Sequence, residues 1–284
     1  VLDNDPFVLL SAMIVFGILH GLQSLLQLLT FGWMQLGAAT AAEDDNRPVF
    51  YVDNSPLLIQ DKPAYPFRGL LVDTSRHYLP LELIVKNLNA MEQNKLNVLH
   101  WHIVDSPSWP YQSARYPDLS RRGAFCDQCV YTSQDIVFIV EQAALRGIRV
   151  VAEFDVPGHT QAIGNSHPKI LSMCQGEYRE PLNVTSPAAY EFVRNLYDEV
   201  IGLFPDNWIH VGGDEVSTKC WEESTDVQEW MKQHNLTEAL QLQQYFEDYL
   251  FSYLTNHVQK RTPIAWQEVM ENSVHFERLY PFGS

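Results

Sequence analysis

Residues 96–104 read Leu-Asn-Val-Leu-His-Trp-His-Ile-Val and form the longest strand candidate of the chain. Four shorter apolar candidates are Gly69–Asp73, Arg149–Phe154, Trp208–Val211 and Pro263–Trp266. Apolar residues with the helical period lie between them, and Ser186-Pro187 marks the start of one such helix. Near-continuous apolar strands separated by amphipathic helices predict a parallel sheet that helices cover on its outer face.

Polar side chains gather at one end of these strands. In chain order they are Asp73 and Arg76; His100, His102 and Asp105; Glu153, Asp155 and His159; Asp214 and Glu215; and Trp266 and Glu268. A (β/α)8 barrel builds its site from the loops at the carboxyl ends of its strands. A doubly wound sheet usually carries a Gly-rich phosphate loop at one switch point, and the sequence contains no such loop. We therefore predict an α/β fold of the TIM-barrel type.

The most apolar stretch of the chain covers residues 7–29. Its least interrupted part, residues 7–19, is shorter than the roughly 20 residues that cross a bilayer. One interpretation is a signal-anchor remnant followed by the small residues 38–42. The other, which we favour, is a helix with an apolar stripe at Leu19, Leu22, Leu25, Leu26 and Leu29, and it predicts no association with a membrane.

Residues 43–66 are polar and rich in proline. We interpret them as a short hairpin of Val49–Val52 with Leu57–Ile59, followed by a linker. A domain boundary near Phe67 then divides the chain into residues 1–66 and residues 67–284.

Composition narrows the classes of function. The 284 residues contain 19 Lys and Arg against 35 Asp and Glu, so the formal net charge is −16 and no basic patch can dominate the field. We therefore expect no nucleic-acid partner. A hydrophobic content of 46% excludes a disordered or collagen-like chain.

The four cysteines are too few for a disulfide scaffold, and Cys126-x-x-Cys129 lacks the second pair of a structural zinc site. Asn183-Val-Thr and Asn235-Leu-Thr are N-glycosylation sequons, which give weak support to secretion.

The strongest local signal for chemistry is Trp208-Ile-His-Val-Gly-Gly-Asp-Glu215. Two glycines let the backbone bend tightly before Asp214 and Glu215. Neighbouring carboxyl groups that are partly buried ionise at different pH, which supplies one general acid and one anion. The residues alone leave a second interpretation open, an acidic helix N-terminus.

Five motifs occur in order between Phe67 and about Val269. They are Arg68-Gly-Leu-Leu-Val-Asp-Thr-Ser-Arg-His-Tyr78, Asn97-Val-Leu-His-Trp-His-Ile-Val-Asp105, Glu153-Phe-Asp-Val-Pro-Gly-His-Thr160, His210-Val-Gly-Gly-Asp-Glu215 and Trp266-Gln-Glu-Val269. Together they resemble the catalytic domain of the family-20 glycoside hydrolases, the β-N-acetylhexosaminidases. Residues 19–28 also resemble the last helix of the small α/β domain that precedes the barrel in this family.

The resemblance implies removal of terminal β-linked GlcNAc or GalNAc from glycoconjugates by substrate-assisted retention. Glu215 is then the general acid and base, and Asp214 holds the 2-acetamido group, whose carbonyl oxygen attacks the anomeric carbon. Asp105 and His159 resemble the start of a hydrogen-bonded relay that ends at Glu215. By residue type alone, a histidine such as His159 is more often a loop-capping residue.

Two further residues resemble sugar-binding groups of the family. Arg76 has a charged fork suited to sugar hydroxyls, although spacing alone also allows a salt bridge to Asp73 or Glu82. Trp266 resembles an aromatic platform under the sugar, with a core tryptophan as the alternative. We interpret Trp109 as structural.

The resemblance also implies a Cys174–Cys220 disulfide, a lysosomal or secreted location, no cofactor, and a homodimer or heterodimer for the full-length form. For Cys126 and Cys129, the sequence allows either a disulfide or two free thiols.

Two other functions compete with this interpretation. His100 and His102 have the spacing of zinc ligands on one strand face, as in a metal-dependent barrel hydrolase. Only five of the eight strands of a barrel are found, and only the end of the preceding small domain is present, so we expect a chain truncated at both ends. Such a chain is expected to be weakly active or inactive, and a carbohydrate-binding remnant is then the second alternative.

Overall fold

The computed structural model describes residues 8–35, 46–53 and 55–272. Its helices are α1 (Val15–Leu28), α2 (Leu81–Gln93), α3 (Asp118–Gly123), α4 (Ser133–Leu145), α5 (Gln161–Gly164), α6 (Pro187–Leu203), α7 (Lys219–Glu223), α8 (Thr225–Gln233), α9 (Leu240–Asn256) and α10 (Gln267–Glu271), with one 3₁₀ turn at Pro168–Ile170. Its strands are β1 (Leu29–Gln35), β2 (Asn46–Val52), β3 (Gly69–Asp73), β4 (Val98–Val104), β5 (Arg149–Phe154), β6 (Leu171–Cys174), β7 (Glu177–Leu182), β8 (Trp208–His210) and β9 (Thr262–Ile264).

Five parallel strands form the central sheet, in the order β3-β4-β5-β8-β9. These are the five predicted strands, so the predicted fold class is confirmed as a partial barrel. The strands follow one another in chain order because each is separated from the next by a helical connection. All their carboxyl ends therefore lie at one edge.

Strand β4 illustrates how the sequence separates the two faces of the sheet. Leu99, Trp101 and Ile103 are fully buried and belong to the apolar core between the sheet and the outer helices. The alternating residues His100 and His102 point to the inner face, because side chains alternate along a strand.

The helices begin where local chemistry favours a start. At α4, the Thr132 side chain accepts the Asp135 N–H while the Asp135 carboxylate accepts the Thr132 N–H, a capping box. At α6, Pro187 occupies the first turn after Ser186. The Ser186 side chain makes no capping hydrogen bond, so the proline carries this start signal.

The region before Phe67 differs from its prediction. Val49–Val52 is part of strand β2, but the antiparallel partner of β2 is β1, while Leu57–Ile59 forms no strand. Leu29, assigned to the helical stripe, is the first residue of β1. Phe31 and Phe50 face each other across this pair with ring centroids 5.5 Å apart, a cross-strand contact that local turn signals do not report.

Helix α1 confirms the helical interpretation of the apolar stretch. Of the helices within the described ranges, none combines the length and the apolar character needed to cross a membrane. Residues 38–42 lie outside the described residues. Lys95, in the loop before β4, places its Nζ 2.7 Å from Ser24 Oγ of α1 and 2.7 Å from Asp61 Oδ2. Helix α1 thus contacts the loops at the amino ends of the strands, opposite the polar edge.

A second hairpin, β6 with β7, was not predicted. Gln175 and Gly176 form its turn, and both have positive φ angles of 51° and 87°. Such a turn matches the twist of paired strands, so Gln-Gly was the signal for it in the sequence. This hairpin lies between β5 and α6 in the chain and extends the loop that follows β5.

Candidate active site

The Gly212-Gly213 turn after β8 sets the position of the acid pair. Both residues have positive φ angles, 71° and 91°. A Cβ on Gly212 would lie 1.8 Å from Asp155 Oδ1, so no larger residue fits. The backbone then places Asp214 and Glu215 at the carboxyl edge of the sheet.

Asp105, His159 and the acid pair come together at this edge. His159 Nδ1 lies 3.0 Å from Asp105 Oδ1. On the other side of the ring, His159 Nε2 lies 3.6 Å from Asp214 Oδ2 and 3.4 Å from Glu215 Oε2. The last two distances are longer than a tight hydrogen bond, so the imidazole faces both acids and forms a tight hydrogen bond with neither.

The surroundings of His159 favour the positively charged form of its imidazole. The hydrogen bond with Asp105 and the nearby Asp214 carboxylate raise the pKa of His159 to about 11, against a smaller effect of burial. Burial opposes ionisation of Asp105, but hydrogen bonds from His102 and His159 outweigh it and hold the Asp105 pKa well below its usual range. The arrangement is therefore an imidazolium between carboxylates.

Asp155 is the carboxyl group whose pKa separates from that of Asp214. Burial, followed by the charge of Asp214, raises the Asp155 pKa well above its usual value. Burial opposes ionisation of Asp214, but contacts with His159 and Asp155 lower its pKa. The Gly213 N–H donates to Asp155 Oδ1 at 2.9 Å. The pKa values of Asp155 and Asp214 thus move in opposite directions. The predicted difference between Asp214 and Glu215 stays a prediction.

Arg76 lies at the rim of the site and contacts two carboxylates. Its Nη1 lies 2.9 Å from Asp73 Oδ2, and its Nη2 lies 2.7 Å from Asp105 Oδ2. The salt bridge to Asp73 was one of the predicted alternatives, whereas the contact with Asp105 was not predicted. The side chain keeps 42% of its surface exposed, so the guanidinium also faces the open side of the edge.

His102 links two buried carboxylates. Its Nε2 lies 2.8 Å from Asp105 Oδ2, and its Nδ1 lies 2.9 Å from Glu153 Oε2. Burial disfavours the charged ring, but these two hydrogen bonds raise its pKa to about 10. Arg76 Nη1 also lies 3.1 Å from Nε2, yet the Asp105 contact is shorter and joins opposite charges.

Glu153 is fully buried on the inner face of the sheet. His100 Nε2 lies 2.6 Å from its Oε2, and the Trp266 indole Nε1 donates to its Oε1 at 2.8 Å. His210 Nδ1 lies 3.3 Å from Oε1 and accepts the Gly212 N–H at 3.1 Å. Burial opposes ionisation, but hydrogen bonds from His100 and His102 hold the Glu153 pKa well below its usual range.

Within the described residues, four overlapping groups of histidine and carboxylate side chains have the spacing of metal ligands, and one of them includes His100. Ligand atoms of His100, Glu153 and His210 lie within 4.8 Å of one another. His102, the second residue of the predicted zinc pair, lies on the same strand face as His100. Both of its ring nitrogens contact carboxylates, so as an imidazolium it offers no lone pair to a metal.

Glu180 joins the two loops that carry Asp105 and His159. Its Oε2 accepts the Thr160 N–H at 2.9 Å, the Gln161 N–H at 3.0 Å and the Ser106 hydroxyl. Strand β7 supplies this residue, so the unpredicted hairpin takes part in building the site.

Comparison with known proteins agrees with this geometry. Residues 65–280 match the model of the catalytic domain of glycosyl hydrolase family 20. The chain belongs to glycosyl hydrolase family 20. It is 38% identical to human β-hexosaminidase subunit beta over 277 residues and 39% identical to rat subunit alpha over 277 residues. Each alignment covers 95% of this chain, and 47% and 49% of the two relatives, respectively.

Solved structures extend the comparison to the fold. A chitobiase from Flavobacterium johnsoniae superposes with a TM-score of 0.72 at 34% identity over 89% of this chain and 37% of its own. A family-20 exo-β-N-acetylglucosaminidase from Vibrio harveyi, solved with N-acetylglucosamine, gives 0.72 at 25% identity over 89% and 41%. This family-20 chain spans about half the length of the curated relatives it matches.

The remaining predicted residues are the cysteines and Trp109. Cys174 of the β6–β7 hairpin forms a disulfide with Cys220, five residues after Glu215, and Cys126 and Cys129 form a second one. Trp109 is buried and packs against Phe154 with ring centroids 6.2 Å apart.

The two sequons differ in their surroundings. Asn235 is exposed in a left-handed conformation just after α8. Asn183 is half-buried, and its side-chain oxygen accepts hydrogen bonds from the backbone and hydroxyl of Thr185. The sequence alone does not make this distinction.

Three residues that the sequence analysis left without a role are built into the site. Glu153 and Asp155 alternate at the end of β5, so the strand period was enough to place both on the inner face. Their hydrogen-bond partners come from other strands, which the sequence does not pair. The role of Glu180 was not predicted, because it depends on the β6–β7 hairpin, for which the Gln175-Gly176 turn was the signal in the sequence.

Proposed function

We propose that this family-20 protein is a β-N-acetylhexosaminidase that removes terminal, non-reducing β-linked N-acetylhexosamine from glycoconjugates by substrate-assisted retention. The observation that carries the proposal is the Asp105–His159 pair facing the adjacent acids Asp214 and Glu215. The relatives support it, since they are named β-hexosaminidases and one structural relative was solved with N-acetylglucosamine.

In the first step, Glu215 donates its proton to the glycosidic oxygen. The carbonyl oxygen of the 2-acetamido group attacks the anomeric carbon as the bond to the leaving group breaks, which gives an oxazolinium ion. Asp214 accepts a hydrogen bond from the acetamido N–H and balances the positive charge. Its lowered pKa suits this role because the carboxylate is ionised in the resting site.

In the second step, Glu215 acts as a base. It takes a proton from water as the water oxygen attacks the anomeric carbon, and the ring of the intermediate opens to restore the acetamido group. The two displacements on one carbon retain the β configuration. His159 orients both acids and, as a charged ring, stabilises the carboxylate that Glu215 becomes after the first step.

Arg76 and Trp266 supply sugar contacts in this proposal. The guanidinium at the rim is a fork for adjacent sugar hydroxyls, and its exposed fraction leaves it accessible to them. The half-buried indole of Trp266 offers an aromatic face to the apolar side of the sugar or to the acetamido methyl.

The proposal extends to the location of the enzyme, its domain boundary and its oligomeric state. Two disulfides favour an oxidising route and therefore a lysosomal or extracellular location. We place a domain boundary near Phe67, between residues 1–66 and 67–284. The relatives are named as alpha and beta subunits, which supports a homodimer or heterodimer for the full-length form.

The test is turnover of aryl β-N-acetylglucosaminide and aryl β-N-acetylgalactosaminide by the purified full-length form at mildly acidic pH, with and without a chelator. We expect release of the aryl group that the chelator leaves unchanged. Loss of turnover with the chelator would instead support the metal-dependent alternative at His100. Sugar binding in a calorimeter without turnover would support a carbohydrate-binding protein.

A further inference from the structure

Glu153 connects two parts of the site that have no direct contact in the described structure. One part is the set formed by Asp105, His159 and the acid pair, and the other is the indole of Trp266. Both oxygens of the Glu153 carboxylate are occupied, and each faces a different part. Oε2 meets His102 Nδ1 at 2.9 Å, and Oε1 accepts the Trp266 N–H at 2.8 Å.

The first path leads to the catalytic acids. His102 lies between the Glu153 and Asp105 carboxylates, and Asp105 in turn contacts His159 at 3.0 Å. Carboxylates and imidazoles alternate along this path, so each ring lies between two negative charges. Since an imidazolium donates from both nitrogens, its orientation is fixed by its two carboxylate partners.

The second path leads to the aromatic platform. The indole has one donor, and that donor is used on Glu153. The ring also packs against His210 and His100, with centroids 4.9 Å and 5.6 Å away. His100 itself contacts Glu153 Oε2, so the same carboxylate holds the indole and part of the ring stack that supports it.

A carboxylate without surface exposure is costly unless its charge and lone pairs are matched. Glu153 is matched only when His100, His102 and Trp266 take the orientations seen here. The charge therefore selects one arrangement of the inner face during folding.

We propose that Glu153 is a positioning residue that sets the platform and the catalytic acids in one geometry, through Oε1 to Trp266 and through Oε2 to His102 and Asp105. The residue does not reach the substrate itself. This inference rests on the proposed function for its activity readout and on the geometry alone for its spectroscopic readout.

The substitution Glu153→Gln tests it with little change in shape. The glutamine keeps one acceptor oxygen but presents an NH₂ group to the N–H donors on the other side, so one of the two paths loses its contact. We expect kcat to fall by about 10–100-fold, the range seen when outer hydrogen-bond partners of functional groups are removed from metal sites. A KM increase accompanies it if the Trp266 path is the one that breaks.

The readout that a merely structural role would not move is the protonation of His102. Nitrogen NMR of the imidazole at pH 7.5 should show a doubly protonated ring in the wild-type protein. In Glu153→Gln, the remaining neighbours of the ring are Asp105 and Arg76, of opposite charge, and we expect the neutral form to appear below pH 9. Unchanged His102 signals together with unchanged kcat and KM would overturn the proposal.

Glu199→Gln is the matched control. Glu199 also accepts several hydrogen bonds, from Tyr111, Ser113 and the Ala114 and Arg115 backbone, but none of these leads to His102 or Trp266. Its substitution should lower the melting temperature and leave the His102 signals unchanged. A shift of the His102 signals in this variant as well would show that they report general loosening, which contradicts the proposal.

Two further variants keep the test decisive if Glu153→Gln does not fold. Trp266→Phe removes the indole donor and keeps an aromatic ring, and it should raise KM more than it lowers kcat. His102→Gln breaks the other path and should lower kcat and shift its pH profile, with little change in KM. The same effect from both variants would contradict two separate paths.

Failure of the proposed function has a different signature. If the wild-type protein neither hydrolyses aryl N-acetylhexosaminides nor binds a thiazoline mimic of the intermediate, the hexosaminidase proposal fails. The His102 spectra of wild-type protein and Glu153→Gln still decide whether Glu153 holds the ring.

Discussion

The acidic side chains in the interior of the site differ from Glu215 at the rim in their exposure and in their number of hydrogen-bond partners. Glu153, Asp155 and Asp105 are at most 1% exposed, and each accepts N–H groups from other elements. At the rim, Glu215 is 73% exposed and its nearest described partner is His159 at 3.4 Å. Folding therefore orients the interior acidic groups in advance, whereas under the proposed function Glu215 contacts the substrate.

Under the proposed function, this difference suits catalysis. Dipoles and charges that are already oriented need no rearrangement when charge develops in the transition state. A group that transfers a proton must instead move between partners, and a tight ion pair would hold it back. We therefore expect substitutions at the rim to affect a chemical step or a substrate contact, and substitutions in the interior to affect geometry and its pH dependence.

The largest effect is expected for Glu215→Gln at the rim. General acid catalysis contributes about 10²–10⁴ in rate, so kcat/KM should fall by that factor for a substrate with a poor leaving group. The loss should be much smaller for an activated aryl leaving group, which departs without a proton. Steady-state kinetics on the two substrates measures this difference.

Glu229→Gln, an exposed carboxylate on α8, serves as the control and should leave both rates unchanged. Equal losses on the two substrates in Glu215→Gln would remove the assignment of Glu215 as the acid.

An intermediate effect is expected for Arg76→Lys, which keeps the charge and loses the fork. A hydrogen bond to a charged group contributes about 1.5–3 kcal/mol, so kcat/KM should fall by about 10–100-fold. Most of the loss should appear in KM, because the proposed contact is with sugar hydroxyls. Arg179→Lys, whose guanidinium pairs with Glu177 on the hairpin, is the control. A loss confined to kcat would point to the Asp105 contact as the only role of Arg76.

The smallest effect concerns stability in the interior. Burial raises the pKa of Glu247 on α9 to about 8, although a hydrogen bond from Gln243 opposes the shift. The folded state therefore prefers the protonated carboxyl. Its contribution to stability is complete below the unfolded pKa near 4.5 and is lost as the pH rises from there to about 8.

Glu247→Gln removes this dependence because the amide does not titrate. Its melting temperature relative to wild type should rise by several degrees between pH 5.0 and pH 7.5, since one pKa unit corresponds to about 1.4 kcal/mol. Thermal unfolding at the two pH values measures it. A difference that is the same at both pH values would show that Glu247 is ionised in the folded protein.

The interior and the rim also differ in how far the sequence predicted them. The five strands of the sheet and the residues at their ends followed from apolar runs and their spacing, because these are local signals. The acid pair Asp214-Glu215 was marked by its glycines and by the motifs around it. Asp155 was among the polar residues found at the end of β5, but its contact with Asp214 depends on the register of separate strands.

Long-range pairing explains the remaining differences. Leu29 fits the helical stripe, so the sequence predicts a helical residue where strand β1 begins. The partner of β1 is β2, and residues 36–45 separate the two strands in the sequence. The role of Glu180 depends on the hairpin of β6 with β7, which brings it to the loops after β4 and β5. Neither contact leaves a periodic pattern in the sequence.

The central claim is that the substrate supplies the nucleophile at an interior arranged to receive it. The most direct measurement compares kcat/KM for two aryl β-glucosides that share one leaving group and differ only in the 2-acetamido or 2-hydroxyl group. A well-placed internal nucleophile has an effective concentration of about 10⁵–10⁸ M, so we predict that the 2-hydroxyl substrate is inert by comparison. Hydrolysis of both substrates at similar rates would contradict the account, because an enzyme carboxylate or an activated water would then be the nucleophile.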